Sequence, residues 1–372
     1  MIESIYIHIP FCDYICSYCD FKKLYYNEKL VNNYLISLEN EIKTTYKNEQ
    51  IKTIYIGGGT PSSLNIDQLT KLFDILKIIN KEKLIEYTIE SNIDSLTKEK
   101  LDLFKQNNIN RLSIGVQSIN EDKLKLMDRT LDQNKLEQLI YYSKQIGINN
   151  INCDLIYGLN NETINILEKD IDYLIKLDIT HIAIYSLILE ENTKLYINKY
   201  QEISEDLDAN MYDFICKKLK DNNFIHYEIS NFKKKGYQSN HNLCYWKNNY
   251  YYGFGIAASS HIKNKRYTNT SSITNYINKK YNKIIEELTT DDKIDYEIIT
   301  SLRLIDGINK KDFFNKYNKK VGELFNYKDL IKKDYIKENF DNIYIEEKKL
   351  YISNEIINKF LESRYENEKR KI

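Results

Sequence analysis

Proline is nearly absent from this chain. Its 372 residues hold only two, Pro10 and Pro61, with eleven glycines and one tryptophan, while arginine and alanine are scarce and Lys, Asn, Ile and Tyr abound. The skew is that of an AT-rich genome. Against it, the places where proline and glycine persist mark backbone geometry that other residues cannot supply. Pro10 lies just before Cys12, and Pro61 follows the glycine triplet Gly57 to Gly59, so both flag one region. Net charge is missing too: 54 Lys and Arg balance 54 Asp and Glu, with no basic tail or acidic tract, which gives a nucleic-acid partner no support. There is no run of about 18 apolar residues and no basic start followed by an apolar core, which excludes a membrane-spanning helix and a secretion signal. A soluble, cytoplasmic protein is the expectation. Six cysteines in so long a chain are too few for a secreted disulfide framework, and three of them crowd into Cys12, Cys16 and Cys19. A reducing compartment and a metal site fit that pattern.

The length exceeds what one hydrophobic core usually supports, so a large unit and a smaller one are expected. Short β-rich runs at Ser4 to Ile9, Ile51 to Ile56, Glu86 to Glu90, Arg111 to Ile114, Ile151 to Ile156 and His181 to Ser186 alternate with helical patterns at Val31 to Thr45, Ile66 to Ile79, Lys98 to Gln106, Gln133 to Ile146 and Ile164 to Leu177. Six strands alternating with helices predict an incomplete parallel (β/α)6 barrel over residues 1–200. A segment at 201–285 would extend it, with a strand at Phe224 to Ser230 and the string His241 to Trp246. Residues 286–372 would form a smaller winged-helix-like α+β unit, with a β-like Tyr344 to Ile352 and a final helix. Loops after the strands of such a fold gather at one end. That places the cysteines, Gly57 to Thr60, Glu90, Gln117 and Asp154 together.

Cys12, Cys16 and Cys19 form C-x3-C-x2-C directly after an apolar strand. Three thiolates on a 4Fe-4S cluster leave one iron open for a small molecule. A zinc knuckle completed by a distant His8 or Cys153 is the alternative. The glycine triplet lets backbone groups approach a ligand closely. Glu90, Gln117, Arg129 and Asp154 are polar groups at strand ends whose burial needs partners. His241, Tyr245 and Trp246 offer an iron ligand and flat apolar area, although a histidine among aromatics is more often packed core. Cys153 and Cys216 sit in apolar patterns and read as buried structural cysteines, and His226 and His261 carry no functional case.

YIHIPFCDYICSYCDF resembles the radical-SAM signature of the coproporphyrinogen III oxidase-like family, whose branches are the oxygen-independent oxidase and the HemW haem chaperones. Further segments match in order along nearly the whole chain: IYIGGGTPS, IES, RLSIGVQS, DRT, CDLIYGL, YSL, HYEISNF, HNLCYW and SLRLIDGI. The resemblance implies a 4Fe-4S cluster on Cys12, Cys16 and Cys19. It implies S-adenosylmethionine against Gly58, Gly59, Thr60, Glu90, Gln117, Arg129 and Asp154, with Tyr6 and Tyr18 beside it. It implies haem at His241, Tyr245 and Trp246, which match the H-N-x-x-Y-W motif of the HemW branch. One-electron reduction of the cluster would then cleave S-adenosylmethionine to methionine and a 5′-deoxyadenosyl radical.

Two features favour the chaperone branch over decarboxylation of coproporphyrinogen III. The oxidase signature continues as C-x-C, where this chain has Asp20 and Phe21, and the chain starts eleven residues before Cys12, without room for the oxidase's N-terminal extension. Three departures stand out: Leu131 where a histidine follows the Arg-Thr pair, Asn160-Asn161 for Pro-Gly, and Ile256 in place of a loop proline. The partners implied are haem, haem-acceptor apoproteins and an electron donor, with no nucleic acid. Peripheral contact with membrane haemoproteins and a homodimer are left open.

Overall fold

The computed structural model describes residues 1–281 and 283–365. Six parallel strands form its centre in chain order: β1 Ser4–Ile9, β2 Thr53–Gly58, β3 Glu86–Asn92, β4 Arg111–Gln117, β5 Asn150–Tyr157 and β6 His181–Ser186. The six strands expected of the barrel are all present, each within a few residues of its predicted bounds. Helices α1 Glu28–Thr45, α2 Ile66–Ile75, α3 Lys98–Gln106, α4 Glu121–Leu126, α5 Gln133–Gln145 and α6 Ile164–Lys176 run between them. Their starts are chemically specified. Asn27, Asn65, Thr97, Asn120, Asp132 and Thr163 each accept a backbone N–H of the first turn through the side chain.

Along every strand, alternate residues have different jobs. Ile5, Ile7, Ile54, Ile56, Ile89, Leu112, Ile114, Ile151 and Cys153 join the apolar core shared with the helices. Their neighbours Ser4, Tyr6, Thr53, Tyr55, Glu90, Ser113, Asn152 and His181 carry hydrogen-bonding groups that meet across the lumen. A parallel sheet covered on both faces usually reads as continuous apolar runs. Here the period-two alternation survives because the lumen is polar.

The six strands do not close on themselves. Beyond β6 lie antiparallel Asn231–Lys233 and Ile225–Glu228, while β1 pairs in parallel with Tyr251–Phe254, from which the antiparallel strands Ser259–Ile262, Lys265–Thr268 and Ile284–Glu287 continue. Segment 201–285 thus supplies both flanks of one sheet and shares the barrel's core, which includes Met211, Ile215, Phe232, Phe254 and Tyr276.

A second core, around Ile294, Ile298, Phe313, Ile343, Ile357 and Phe360, belongs to the C-terminal unit. That unit has helices at Thr290–Ser301, Lys310–Tyr317 and Ser353–Glu362 and a small sheet in the order Ile308–Asn309, Asn342–Tyr344, Lys337–Glu338. The expected strand Tyr344 to Ile352 is corrected: only its first residue is β, and Glu347–Ile352 is a 3-10 helix. The charged run Glu346 to Lys349 breaks the alternation, and the turn brings Leu350 into the second core while Lys349 pairs with Asp334. Residues 366–372 of the expected third unit lie outside the described residues.

Candidate functional site

Cys12, Cys16 and Cys19, expected to hold the cluster, follow β1 at the carboxyl end of the strands. Cys12 is buried and its Sγ accepts from Thr60 Oγ1 at 3.5 Å, while Arg129 Nη1 lies 3.6 Å from Cys16 Sγ. The loop is held by Ser17, whose N–H and hydroxyl donate to Met127 and Leu126 carbonyls, and by the Cys19 N–H on the Cys16 carbonyl at 3.4 Å. Burial pushes the Cys12 thiol up to about 11, with the Thr60 hydrogen bond acting against it, and also raises that of Cys19. A bound cation would displace the proton of each thiol to solvent. Cys16 and Cys19 line a cavity of about 480 Å³ with Lys23, Tyr25 and Lys194 at its walls.

The glycine triplet is tightly confined. A Cβ on Gly59 would come within 2.9 Å of Cys12 Sγ and of the Phe11 carbonyl oxygen, and Gly58 has φ +119° with the His8 ring 2.6 Å from where its Cβ would stand. No side chain fits between the loop at Gly59 and Cys12, which keeps the backbone there against the cysteine loop. The Gly58 N–H donates to Glu90 Oε2 at 2.9 Å, and the Tyr55 hydroxyl donates to Oε1 at 2.7 Å. Burial pushes Glu90 up to about 7 and Asp154 up to about 6, the latter against a hydrogen bond from Asn152 Nδ2 at 2.7 Å.

Arg129 donates from Nη2 to the Gly115 carbonyl at 2.8 Å and to Asn92 Oδ1 at 3.2 Å, and Asn92 in turn donates to Thr60 Oγ1 at 3.1 Å. Gln117, at the end of β4, is buried in the left-handed region with φ 67°. Tyr6 Oη meets His8 Nδ1 at 2.9 Å inside the lumen, and Tyr18 lies against Cys16 and Arg129. The expected cluster and S-adenosylmethionine residues thus converge at one end of the barrel.

The structure excludes both proposed fourth ligands of a zinc knuckle. His8 has both ring nitrogens engaged, by Tyr6 and by the Lys22 carbonyl at 2.8 Å, and Cys153 points into the apolar core. Sequence reasoning overlooked Tyr55, Asn92 and Arg111. Arg111 is 2% exposed; burial first, and its charge second, lowers the pKa of His181 and His241, and the same charge acts against the burial-driven rise at Glu90 and Asp154. Its Nε, like that of Arg129, has no hydrogen-bond partner among the described residues. The signal for Arg111 was its scarcity: an arginine heading a strand in a lysine-rich chain.

His241, Tyr245 and Trp246 lie elsewhere, on the helix Asn240–Trp246 that plugs the opposite end of the lumen. The Glu86 carboxylate accepts the N–H groups of Asn240 and His241 at 2.6 and 3.0 Å, and Ser239 caps the helix. Thr53 Oγ1 donates to Ser4, so His241 Nδ1 is the donor to Thr53 at 2.9 Å, and Nε2 accepts from the Tyr245 hydroxyl at 2.7 Å. Burial, then the charge of Arg111, brings His241 down to about 3. The histidine expected to be open to a haem iron is 1% exposed and has both nitrogens taken. Trp246 is half-buried, with the Arg303 guanidinium 5.9 Å from its ring.

A model of the Radical SAM superfamily matches residues 6–174, which cover the barrel from β1 into α6. The heme chaperone HemW of Bacillus subtilis is 38% identical over 97% of this chain and 99% of its own length. The chain belongs to the HemW family. A second HemW relative, from Lactococcus lactis, is 34% identical over 96% of this chain and 97% of its own. The coproporphyrinogen III oxidase HemN of Escherichia coli, a radical SAM enzyme, superposes with a TM-score of 0.83 over 96% of this HemW-family chain and 90% of its own, at 20% identity, which shows a common fold. Among the described residues of the HemW-family chain no helix is long and apolar enough to cross a membrane.

Proposed function

We propose that this protein is a haem chaperone that binds haem, carries a 4Fe-4S cluster on Cys12, Cys16 and Cys19 with S-adenosylmethionine beside it, and hands haem to acceptor apoproteins. The observation that carries the reading is kinship with HemW chaperones along nearly the full length of both chains. The residues at the carboxyl end of the barrel fit the cluster and S-adenosylmethionine. Three thiols sit on one loop, a cradle at Gly59 would be filled by a single Cβ, and the buried Nε atoms of Arg129 and Arg111 lack partners. When bound, the reduced cluster supplies one-electron cleavage of the sulfonium of S-adenosylmethionine.

The chain's own residues prepare that site. Glu90 holds the Gly57 to Thr60 loop by the Gly58 N–H, and the Gly59 and Thr60 N–H groups are tied to the Ile9 and Phe11 carbonyls, so the loop is fixed before a ligand arrives. Asn92 fixes Thr60 and Arg129 relative to each other, and Asp154 offers a carboxylate that burial pushes up to about 6. Haem ligation through His241 requires the Tyr245 hydroxyl to leave Nε2 and the helix to come off Thr53 and Glu86. Because His241 stays neutral down to about pH 3, its lone pair needs no deprotonation step.

The test is anaerobic reconstitution followed by counts of iron and haem per chain, then incubation of the reduced protein with S-adenosylmethionine and coproporphyrinogen III. Four irons and bound haem, without protoporphyrinogen, are expected. Protoporphyrinogen formation would replace the chaperone reading with the oxidase one. Haem affinity unchanged in His241→Ala removes that residue from the haem site.

A further inference from the structure

Where the C-terminal unit meets the barrel, three side chains from three separate elements point their ligand atoms at one spot. Cys216 comes from the helix Glu205–Asp221, His226 from the edge strand Ile225–Glu228 and Glu347 from the 3-10 helix of the second unit. Their Sγ, Nδ1 and carboxylate oxygens all lie within 4.8 Å of one another, with Cys216 Sγ 3.9 Å and Glu347 Oε1 3.1 Å from His226 Nδ1. We propose that Cys216, His226 and Glu347 form a zinc site that fastens the C-terminal unit to the barrel.

Geometry, ligand softness and charge all support it. Tetrahedral zinc, with Zn–S of about 2.3 Å and Zn–N or Zn–O of about 2.0 to 2.1 Å, has ligand–ligand edges of about 3.3 to 3.6 Å. The two separations to His226 straddle that range and the third, Cys216 Sγ to the Glu347 carboxylate, lies within 4.8 Å, so side-chain motion of about an ångström completes the site. Thiolate, imidazole and carboxylate together suit a borderline cation such as zinc and are a poor set for magnesium or calcium. On binding, the Cys216 thiol releases its proton to solvent and Nδ1 of His226 gives its lone pair. The imidazole proton then rests on Nε2, which has no hydrogen-bond partner among the described residues. One thiolate and one carboxylate neutralise the dication. The Glu347 side chain is 37% exposed, so a water can take the fourth position.

The site's location gives it a role. Cys216 packs against both apolar cores, and Glu347 belongs to the C-terminal unit. Without a cation, the thiol is pushed up to about 12 by burial and by the carboxylates of Glu347 and Asp213. Zinc uptake is therefore linked to proton release.

The experiment takes the cluster-reconstituted protein, adds zinc sulfate, desalts it, and measures zinc and iron separately by elemental analysis, followed by zinc-edge X-ray absorption. Expected are one zinc per chain with full iron retention, and a zinc shell of one sulfur and three nitrogen or oxygen atoms. Cys216→Ser, His226→Ala and Glu347→Gln should each weaken zinc binding at least about tenfold, the scale on which even outer-shell changes act. Zinc near zero, a shell of three sulfurs (zinc at Cys12, Cys16 and Cys19), or full zinc in His226→Ala would each overturn the proposal. The absorption measurement uses the unmodified chain, so a misfolded variant leaves the test standing.

Discussion

Replacing Glu86 tests how the helix carrying His241 is held. Glu86 is 2% exposed at the start of β3, and its two carboxylate oxygens accept the backbone N–H groups of Asn240 and His241 at 2.6 and 3.0 Å. No cation lies within salt-bridge distance of it among the described residues, so these bonds carry its burial. A hydrogen bond to a charged acceptor contributes about 1.5 to 3 kcal/mol. Glu86→Ala loses two and strands both donors, while relieving the cost of burying a carboxylate, which leaves a net loss of about 2 to 4 kcal/mol. Glu86→Gln keeps one acceptor and presents an amide N–H to the other donor, a loss of about 1 to 2 kcal/mol. Hydrogen exchange read by mass spectrometry on peptides covering residues 240–246 reports this local stability. At about 1.4 kcal/mol per decade, exchange there should accelerate about 30- to 700-fold in Glu86→Ala, about 5- to 30-fold in Glu86→Gln, and little in peptides from α3. Equal exchange in all three proteins would refute the claim that Glu86 anchors the helix.

Three further outcomes follow from the same structure. Gly59→Ala places a Cβ 2.9 Å from Cys12 Sγ and the Phe11 carbonyl oxygen, so reconstituted iron should fall to less than about half of the parent's with far-ultraviolet circular dichroism unchanged; iron at parental levels would contradict the confined cradle. Glu90 is pushed from 4.5 up to about 7, so the folded cofactor-free protein holds this proton more tightly than the unfolded chain. That stabilisation is complete below about pH 4.5 and is lost as pH rises through about 7. Glu90→Gln should flatten the stability–pH curve in that window by on the order of 1 to 2 kcal/mol, as read from urea midpoints. Lys123 sits between Glu162 at 2.5 Å and Asp170 at 2.9 Å, all three buried, and Lys123→Met should cost about 3 to 5 kcal/mol in chemical denaturation, where a loss under about 1 kcal/mol would show the pairing to be idle.

The strands were legible because Ile-rich runs with period-two alternation are long enough to stand out, and five of the helices because their apolar residues recur at helical spacing; the six-residue α4 is too short to show that period. The three-cysteine loop was legible because its cysteines are close in sequence. Tyr55, Asn92 and Arg111 were not, since each completes a hydrogen bond or charge pattern with residues tens of positions away. Tyr344 to Ile352 was read as β because isolated apolar residues there satisfy either periodicity, and packing into the second core chose the 3-10 turn.

Local chemistry in the sequence alone determined the barrel's six strands, the three-cysteine loop and the glycine cradle beside it, because each is written in neighbouring residues. Tertiary structure alone decided that the lumen is polar from end to end, and that His241 lies at its closed end with both nitrogens engaged. It also decided that Cys216 and His226, which looked unremarkable in the chain, face Glu347 across the seam between two cores. These depend on strand order and on which faces meet, and residues over a hundred positions apart share a site only once the chain is packed.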